Sequence, residues 1–344
     1  MKICHLLWSF ARGGTECMLV DIANEQVKDN EVCIVVVNDC IDLGLRQTLD
    51  ARIQFVQVGR PCGSHNPWYI LKMNWKIDRL HPDIVHVHMT GMRRYYKLRI
   101  PVVFTAHSNM IGKDDCKYQK IFCISNIVQK TCIKQGAKNT CVVYNGIHSE
   151  KISSNDVVIR ELHNPVRIVC VGRLHPVKGQ QILLEAFRIL VNERGVSHIH
   201  LDLIGEGEMR RDLSQFIERE NLSGIVSLLG SKPREFIYPR LKDYDLFIIP
   251  SINEGFGLTL AEACAAKISV ISTDLEGPME VIDFGKYGRD FKCGNPISLA
   301  DEIEDFIRKG VNVEQVEAAY QYIKANFDVK MTARRYVVEY GKIH

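Results

Sequence analysis

The sequence predicts an α/β protein of two doubly wound domains, each with a parallel sheet covered by helices on both faces. Three observations support this prediction. Short apolar runs rich in β-branched residues alternate with helical patterns. The alternation stops once near the middle of the chain and then restarts. The 344 residues, 46% hydrophobic and 25% charged, are enough for two packed cores.

In the first half, strands and helices alternate from Lys2 onward. The predicted strands are KICHLL, CIVVV, IQFVQV, DIVHVH, VVFTA, KIFCIS and TCVVY, and helices are predicted from about Thr15, near 70–80 and after KIFCIS. These elements define a predicted first domain over 1–150. Residues 148–164 are polar and weakly periodic, which predicts a linker.

The alternation resumes in the second half, with a predicted domain over 165–325. Its strands are RIVCVG, HIHLDLIG, VSLLG, LFIIP and ISVIST, with helices over about 177–193, to about Glu220 and from about Gly257. The amphipathic segment 313–340 predicts a helix, and 326–344 is expected to pack on the second domain or to cross back to the first. Ligands of such sheets bind beyond the carboxyl ends of the strands, so strand-to-helix turns are where chemistry is expected.

Charge is unevenly distributed between the two halves. The first 150 residues contain 19 Lys and Arg against 13 Asp and Glu, although the net charge of the chain is only +3. The densest basic patch surrounds Tyr95 and Tyr96 and comprises Arg93, Arg94, Lys97 and Arg99, followed by Lys113, Lys117 and Lys120. Such a patch suits an anionic membrane surface or a phosphate-bearing acceptor, and a solvated loop explains it equally well.

Cysteine usage and hydropathy favour a cytosolic protein. The 12 cysteines are scattered singly, often within apolar runs, which predicts reduced core residues. No apolar run approaches the roughly 18 residues of a membrane helix, and the first residues do not resemble a signal peptide. We therefore expect a protein of the cytosol, with the inner face of the membrane as its place of peripheral attachment if the basic patch binds lipid.

The segment PSINEGFGLTLAE predicts an anion site. An apolar strand is followed by an acidic, glycine-rich turn and then by a helix that begins near Gly257, where backbone N–H groups can bind phosphate. Glu254 in the turn and Glu262 on the helix are eight residues apart, slightly over two turns, so Glu262 lies below the turn on the same side. Taken alone, the pair also fits a solvated acid and an acid on a helix face.

Two cations in VGRLHPVKG favour the functional interpretation. A strand ends at Gly172, and Arg173 and Lys178 follow before an amphipathic helix. Cations at a helix start oppose the helix dipole, so a purely structural role is disfavoured. A diphosphate leaving group needs its charge neutralised, which Arg173 can do by a forked contact and Lys178 as a point charge.

These motifs resemble the retaining glycosyltransferases of family 4. The runs VGRLHPVKG and EGFGLTLAE carry the resemblance, and FARGGTE, DIVHVH, TAHS, CISN, VVYNGI, LIGEGE and PSINEGFG follow in the family's order, from Lys2 to about Glu280. The resemblance implies the GT-B fold, two Rossmann-like domains facing a central cleft. It also implies transfer of a sugar from a nucleotide donor.

The resemblance also implies site residues in both domains. It implies that Glu262 binds the donor ribose and that Glu254 binds a hydroxyl of the donor sugar. Arg173 and Lys178 would bind the diphosphate, and His107 would approach the transferred sugar. The implied catalytic group is therefore His107, Arg173, Lys178 and Glu254. The donor-binding residues are Gly13, Gly14, Gly205, Gly207, Gly255, Phe256, Gly257, Leu258, Thr259 and Glu262.

Some positions depart from the family pattern. Lys267 stands where a glycine usually precedes the next strand, and EGPME has Gly277 and Glu280 but not the second glycine. We expect Glu280 to be a structural acid. Asn145 and Gly146 are expected to be structural as well.

Three possible metal or nucleotide motifs are set aside. Asp243 and Asp245 precede a strand instead of following one, so a metal role is not expected. His86 and His88 point to one face of a strand, but no third ligand follows at suitable spacing, which favours a buried strand over a zinc site. LIGEGEMR has Arg210 in place of the third glycine of a dinucleotide fingerprint, and its turn suits the donor base instead.

The sequence therefore predicts a metal-independent, retaining glycosyltransferase without a cofactor. The donor would be a nucleotide-diphosphate sugar carrying a hexose or an N-acetylhexosamine, and the acceptor a glycan or a polyprenyl-diphosphate-linked sugar in capsule, O-antigen or exopolysaccharide assembly. Nucleic-acid binding is not expected, because the basic residues form no helix face. A sugar-nucleotide epimerase and a non-catalytic nucleotide-sugar-binding subunit remain alternatives.

Overall fold

The computed structural model describes residues 1–11, 13–95, 99–108, 111–152 and 161–343. It divides the chain into two compact units. Unit 1 is Met1–Ile147 with Phe327–His344, and unit 2 is His148–Asn326.

Unit 1 is built on a parallel sheet with the strand order β3-β2-β1-β4-β5-β6-β7. Its strands are β1 (Lys2–Leu7), β2 (Glu31–Asn38), β3 (Gln54–Arg60), β4 (Ile84–Val87), β5 (Val102–Ala106), β6 (Lys120–Cys123) and β7 (Thr140–Val142). Its helices are α1 (Gly14–Gln26), α2 (Leu43–Gln47), α3 (Trp68–Leu80), α4 (Asn126–Lys134) and, from the end of the chain, α13 (Val329–Tyr340).

Unit 2 contains a second parallel sheet, with the order β10-β9-β8-β11-β12-β13. Its strands are β8 (Val166–Val171), β9 (Ile199–Ile204), β10 (Val226–Gly230), β11 (Leu246–Ile249), β12 (Ser269–Thr273) and β13 (Arg289–Phe291). Its helices are α5 (Ser149–Ile152), α6 (Gln180–Arg188), α7 (Arg210–Arg219), α8 (Arg234–Leu241), α9 (Leu258–Ala265), α10 (Glu276–Val281), α11 (Pro296–Lys309) and α12 (Val313–Asn326).

The doubly wound prediction is confirmed in both units. Strands β1 and β8 are central, and the chain order reverses beside each of them, which is the topological switch point of such sheets. Central strands are buried on both faces, so they are continuous apolar runs, as in β2, where every residue after Glu31 is buried. The carboxyl ends of the parallel strands share one edge of each sheet, and this edge positions the site residues.

The segment 313–340 is helical, as predicted, and consists of two helices, because α12 ends at Asn326 and Asp328 caps α13 by accepting from the Lys330 N–H at 2.8 Å. Not every cysteine is a core residue, since Cys40 and Cys62 are exposed. Across the described ranges, none of the helices combines the length and the apolar character that spanning a bilayer requires.

Candidate active site

The candidate donor site of unit 2 is built on the turns that follow β8, β9 and β11. These strands are neighbours in the sheet, and their carboxyl ends lie at one edge because they run parallel. Arg173 follows β8, the glycines of LIGEGE follow β9, and Glu254 follows β11. Residues widely separated in sequence therefore reach the same edge of one sheet.

Arg173 is held by its backbone, while its side chain is exposed to solvent. The buried Gln180 amide donates to the Arg173 carbonyl at 3.0 Å, and the next N–H, of Leu174, donates to the Glu206 carbonyl at 2.9 Å. No carboxylate among the described residues pairs with the Arg173 guanidinium. A fixed backbone with an unneutralised cation is suited to an anionic ligand.

Gly205 and Gly207 allow the turn after β9 to lie against the turn after β8. A Cβ atom at Gly205 would lie 1.9 Å from the Gly172 carbonyl oxygen, and one at Gly207 would lie 2.2 Å from the Leu174 carbonyl oxygen. Both have positive φ, 155° and 158°. Close packing of backbone against backbone therefore explains both glycines, and their contact with a nucleotide base stays a prediction.

Lys178 and Glu254, two of the predicted catalytic residues, form an ion pair. The Lys178 ammonium lies 2.6 Å from Glu254 Oε2, with the side chains 30% and 17% exposed. Lys178 ends a 3-10 turn, and Gly179 follows with φ 69°; a Cβ there would lie 1.9 Å from the Pro250 carbonyl oxygen. Only glycine tolerates both this φ and this contact, so Gly179 joins the β8 turn to the β11 turn.

The turn after Glu254 opens a helix with uncapped backbone donors. Gly257, with φ 103°, is the N-cap of α9 and provides no side chain to cover the first N–H groups, those of Leu258 and Thr259. Phe256 is buried and anchors the turn. Beneath it, a Cβ at Gly277 would lie 2.6 Å from the Gly255 carbonyl oxygen, which explains the glycine in EGPME.

Glu262 is buried below this turn and is held by residues that the motifs did not indicate. Tyr238 donates its hydroxyl hydrogen to Glu262 Oε1 at 2.8 Å, and Arg234 lies 3.4 Å from the same oxygen. Both partners lie on α8, whose first residue follows β10 at the same sheet edge. Nothing in their spacing from Glu262 could have shown this, because the contact depends on how α8 and α9 pack.

The structure also accounts for two of the other residues that we singled out. Lys267 has φ 57°, the left-handed conformation for which glycine is usual, and its ammonium lies 2.9 Å from Glu317 on α12. Asp245 is buried and accepts from the Arg167 N–H at 2.8 Å and from the His163 ring at 2.8 Å. Asp245 therefore has a structural role at the start of β11.

In unit 1, the predicted glycines lie where β1 gives way to α1. Gly13 is the N-cap of α1 with extended φ and makes no side-chain cap, and Gly14 is the first helical residue. Beside them, burial raises the pKa of Glu16. Arg12 lies outside the described residues, and contact of Gly13 and Gly14 with phosphate stays a prediction.

His107 follows β5 and ends a series of hydrogen-bonded side chains that we call the histidine chain: Gln26, His5, His88 and His107. His107 Nε2 lies 3.2 Å from His88 Nδ1, and His88 Nε2 lies 3.0 Å from His5 Nδ1. His5 Nε2 lies 2.8 Å from Gln26 Oε1. Burial lowers the pKa of His5 and of His107 to about 4 and that of His88 well below its usual value, so all three rings are neutral near pH 7.

The histidine chain fixes which ring nitrogens carry protons. Gln26 Oε1 can only accept, so His5 Nε2 is protonated, and the neutral ring then accepts at Nδ1 from His88. By the same step His88 Nδ1 accepts from His107 Nε2, which leaves His107 Nδ1 as an acceptor. Within the described ranges no group donates to that nitrogen. Unit 1 thus presents an uncharged acceptor at its sheet edge.

His86 lies beside the histidine chain. His86 on β4 and His88 directly after it are both buried, as predicted. Ligand atoms of His5, His86 and His88 lie within 4.8 Å of one another, so β1 supplies a neighbouring third histidine that the spacing after His88 could not show. His86 Nδ1 lies 2.6 Å from the Tyr340 hydroxyl and Nε2 lies 2.6 Å from the Thr105 hydroxyl. Every ring nitrogen of this trio has a protein partner, so hydrogen bonds account for the cluster.

The basic patch begins in a 3-10 turn, Arg93–Tyr95, after β4. Arg94 and Arg99 are exposed. Tyr96 and Lys97 lie outside the described residues.

The sequence matches two families of glycosyltransferases. Residues 154–326 match the family described as Glycosyl transferases group 1, and residues 12–151 match Glycosyltransferase Family 4. The amylovoran biosynthesis glycosyltransferase AmsK of Erwinia amylovora is 33% identical over 174 residues, 48% of this chain and 42% of its own. An uncharacterized glycosyltransferase of Methanocaldococcus jannaschii, MJ1178, is 26% identical over 244 residues, 65% of each chain. The chain thus spans less than two thirds of the length of each of these relatives.

Solved structures show the same fold over nearly the whole chain. HepE of Anabaena, crystallised with UDP and glucose, superposes with a TM-score of 0.82 at 19% identity. The superposition covers 99% of this chain and 100% of the HepE chain. TarM superposes with a TM-score of 0.83 at 14% identity, with 98% of each chain covered. The predicted GT-B fold is therefore confirmed.

Proposed function

This chain belongs to the glycosyl transferases of group 1, and from that premise we propose that it is a metal-independent, retaining glycosyltransferase. The donor is a nucleotide-diphosphate sugar carrying a hexose or an N-acetylhexosamine. The observation that carries the proposal is the convergence of Arg173, Lys178 and Glu254 at one sheet edge, next to the uncapped start of α9.

The two cations neutralise the diphosphate. An ammonium has three donors, and Glu254 takes one of those of Lys178, which leaves two for phosphate oxygens. Arg173 is exposed and can make a forked contact to a second phosphate, while the N–H groups of Leu258 and Thr259 supply further donors. These groups provide the charge stabilisation that a divalent ion supplies in other transferases.

The acids orient the rest of the donor. Glu262, held by Tyr238, presents a carboxylate that can accept from ribose hydroxyls, and Glu254, held by Lys178, can accept from a hydroxyl of the sugar. His107 contributes an uncharged acceptor nitrogen to another sugar hydroxyl. Within unit 2, two carboxylates thus offer acceptors to a polyhydroxylated ligand, which fits sugar recognition.

Transfer follows a front-face course. The bond between the anomeric carbon and the diphosphate oxygen breaks while the acceptor oxygen bonds to the same face of that carbon. The acceptor proton passes to the departing diphosphate, whose charge Arg173 and Lys178 stabilise. The configuration of the anomeric carbon is retained.

The acceptor is a glycan or a polyprenyl-diphosphate-linked sugar, and the pathway is assembly of capsule, O-antigen or exopolysaccharide. Relatives named for amylovoran and colanic acid biosynthesis support this context. A lipid-linked acceptor would keep the enzyme in the cytoplasm at the inner face of the membrane.

The proposal is tested by incubating purified protein with a panel of nucleotide sugars and measuring release of nucleoside diphosphate, with added magnesium and with EDTA. We expect one donor to be consumed equally in both, slowly with water and faster with acceptor. NMR of the product should show the donor's anomeric configuration. Loss of turnover in EDTA, or an inverted product, would contradict the proposal.

Two alternatives give different results in the same assay. An epimerase converts or consumes the donor at full rate without any acceptor. A non-catalytic subunit binds the donor and never releases nucleoside diphosphate.

A further inference from the structure

Helix α3 carries an exposed aromatic face that the predicted transfer chemistry does not use. Trp68, Leu71 and Trp75 are 58%, 67% and 55% exposed. The opposite face packs on unit 1 through Met73 and Ile77, which are completely buried. Large apolar residues scattered singly on a surface are ordinary, but three on one helix face form a patch that calls for a partner.

The spacing of these residues makes the patch continuous. At about 100° per residue, the side chains of Trp68, Leu71 and Trp75 fall within an arc of roughly 60°, on the side of α3 away from the core. Their positions i, i+3 and i+7 are those of an amphipathic helix, yet the core already occupies the other face.

Cations are interleaved with the aromatic rings. Lys72 lies with its ammonium 5.9 Å from the ring centre of Trp68, and the Arg79 guanidinium lies 4.8 Å from that of Trp75. Lys76 is one helical turn after Lys72. Tryptophan with Lys and Arg is the composition of helices that lie in the headgroup region of anionic membranes.

The same surface continues toward the basic patch. Asn74 of α3 donates to the Tyr95 carbonyl at 3.0 Å, which fixes the 3-10 turn of Arg93 and Arg94 beside the helix. Arg94 is exposed. The positive charge around the tryptophans therefore extends beyond α3 itself.

We propose that this face of α3, together with Arg93 and Arg94, is a membrane-docking surface that inserts Trp68, Leu71 and Trp75 among the headgroups of an anionic bilayer. The helix is only about 20 Å long and presents three apolar side chains, whereas a stable protein interface needs roughly 20–30 residues a side. The alternation of aromatic and cationic groups matches a surface of acyl chains and phosphates. A second protein copy would carry the same positive charge.

The position of α3 suggests how membrane docking would serve sugar transfer. This step rests on the proposed function. Trp68 begins α3 after β3, and parallel strands end at one edge, so the helix starts at the edge of the unit 1 sheet where His107 follows β5. A membrane held there would deliver a lipid-linked acceptor to the edge of unit 1. Binding to lipid can nevertheless be measured with no donor and no acceptor.

The test is flotation of the full chain with vesicles of phosphatidylcholine containing about 30% phosphatidylglycerol, or of phosphatidylcholine alone. Two of the three tryptophans of the chain lie in α3, so a blue shift of tryptophan emission reports insertion directly. We expect binding to the anionic vesicles, weakening at least tenfold with 0.5 M salt, on the order expected when several surface charges are screened.

Two variants and two matched controls identify the surface. Trp68→Ser with Trp75→Ser, and Lys72→Glu with Lys76→Glu, should each weaken vesicle binding about tenfold or more. The controls make equivalent changes elsewhere: Phe284→Ser removes another exposed aromatic, and Lys134→Glu with Lys138→Glu makes the same charge change. Both controls should bind as the unchanged protein does.

Failure of the unchanged protein to bind anionic vesicles, or equal binding by all four variants, would overturn the proposal. So would a concentration-dependent dimer in sedimentation that the tryptophan variant abolishes, because α3 would then be a contact between copies. Vesicle binding without donor turnover would instead support the membrane-docking surface and contradict the proposed transferase function.

Discussion

The two units share a sheet topology but present opposite chemistry at the same edge. Each has a central strand followed on one side by its fourth and fifth strands, β1 with β4 and β5, and β8 with β11 and β12. In unit 2 the turns at this edge carry solvent-exposed or half-buried charges, Arg173, Lys178 and Glu254. In unit 1 the corresponding edge carries neutral histidines, the buried His88 after β4 and the half-buried His107 after β5.

Burial explains the difference. Charges are tolerated in unit 2 because Lys178 and Glu254 are paired and Arg173 reaches water. His5, His88 and His107 have no carboxylate partner among the residues that the structure describes, and burial lowers the pKa of all three. The sheet edge determines where ligands meet the protein, and the solvation of that edge determines whether they meet charges or neutral hydrogen-bonding groups.

The largest expected effect comes from removing a charge of unit 2. Arg173→Ala or Lys178→Ala leaves diphosphate charge uncompensated in a partly dry site, which costs on the order of 2–5 kcal/mol of transition-state stabilisation. We expect kcat/KM for the donor to fall by about 30-fold to several thousand-fold, as measured by release of nucleoside diphosphate.

Lys242→Ala is the control for this prediction, since it removes an exposed cation of unit 2 outside the predicted site. Its turnover and donor affinity should equal those of the unchanged protein. If Arg173→Ala and Lys178→Ala behaved like this control, the phosphate site would lie elsewhere. The charges at the sheet edge of unit 2 would then not explain donor binding.

The neutral histidines of unit 1 predict that this unit becomes less stable in acid. The pKa of His5 is about 4 in the folded state and about 6.5 in an unfolded chain, so the unfolded state takes up its proton first as pH falls. Stability is therefore fully present above about pH 6.5 and declines toward pH 4, by about 3 kcal/mol for His5 alone. His88 and His107 act in the same direction.

All three tryptophans belong to unit 1, so urea unfolding followed by tryptophan fluorescence reports this unit. We expect the free energy of unfolding to decrease steeply between pH 6.5 and pH 4.5. His5→Gln should flatten that slope, while His65→Ala, which alters an exposed histidine, should not. An unchanged slope in His5→Gln would show that the ring is not buried in its neutral form.

How far the sequence could predict the molecule also differs between the units. The site residues of unit 2 lie in compact motifs, so Arg173, Lys178 and Glu254 could be placed at strand ends from their position after apolar runs alone. The histidine chain could not, because it joins residues from β1, α1 and the turns after β4 and β5. Only sheet order brings these together, and sheet order is not visible in periodicity.

Within unit 2 the same limit applies to Glu262. Its position on a helix below the turn follows from its spacing to Glu254, but Tyr238 and Arg234 reach it from another helix. Helix α11 was also missed, although Asn295 and Pro296 give a cap and a first-turn proline that could have indicated it. Local signals therefore locate elements and turns, and packing supplies the partners.

The smallest expected effect tests whether proton positions in unit 1 are set by Gln26. Gln26→Leu removes the acceptor that holds His5 Nε2–H, so the protons of the histidine chain can shift and His107 Nδ1 becomes a donor. Losing one neutral hydrogen bond to the sugar costs about 1 kcal/mol, so kcat/KM should fall roughly fivefold. Tyr336→Phe is the control, because it removes a buried hydroxyl that lies 3.2 Å from the Thr105 hydroxyl and is not part of the histidine chain.

Nitrogen-15 NMR of labelled histidine tests the proton positions without any substrate. His107 should be protonated at Nε2 in the unchanged protein and in Tyr336→Phe, but at Nδ1 in Gln26→Leu. Protonation of His107 Nδ1 in the unchanged protein would mean that the hydrogen bonds of the histidine chain run in the opposite direction. Unit 1 would then present a hydrogen-bond donor to its ligand.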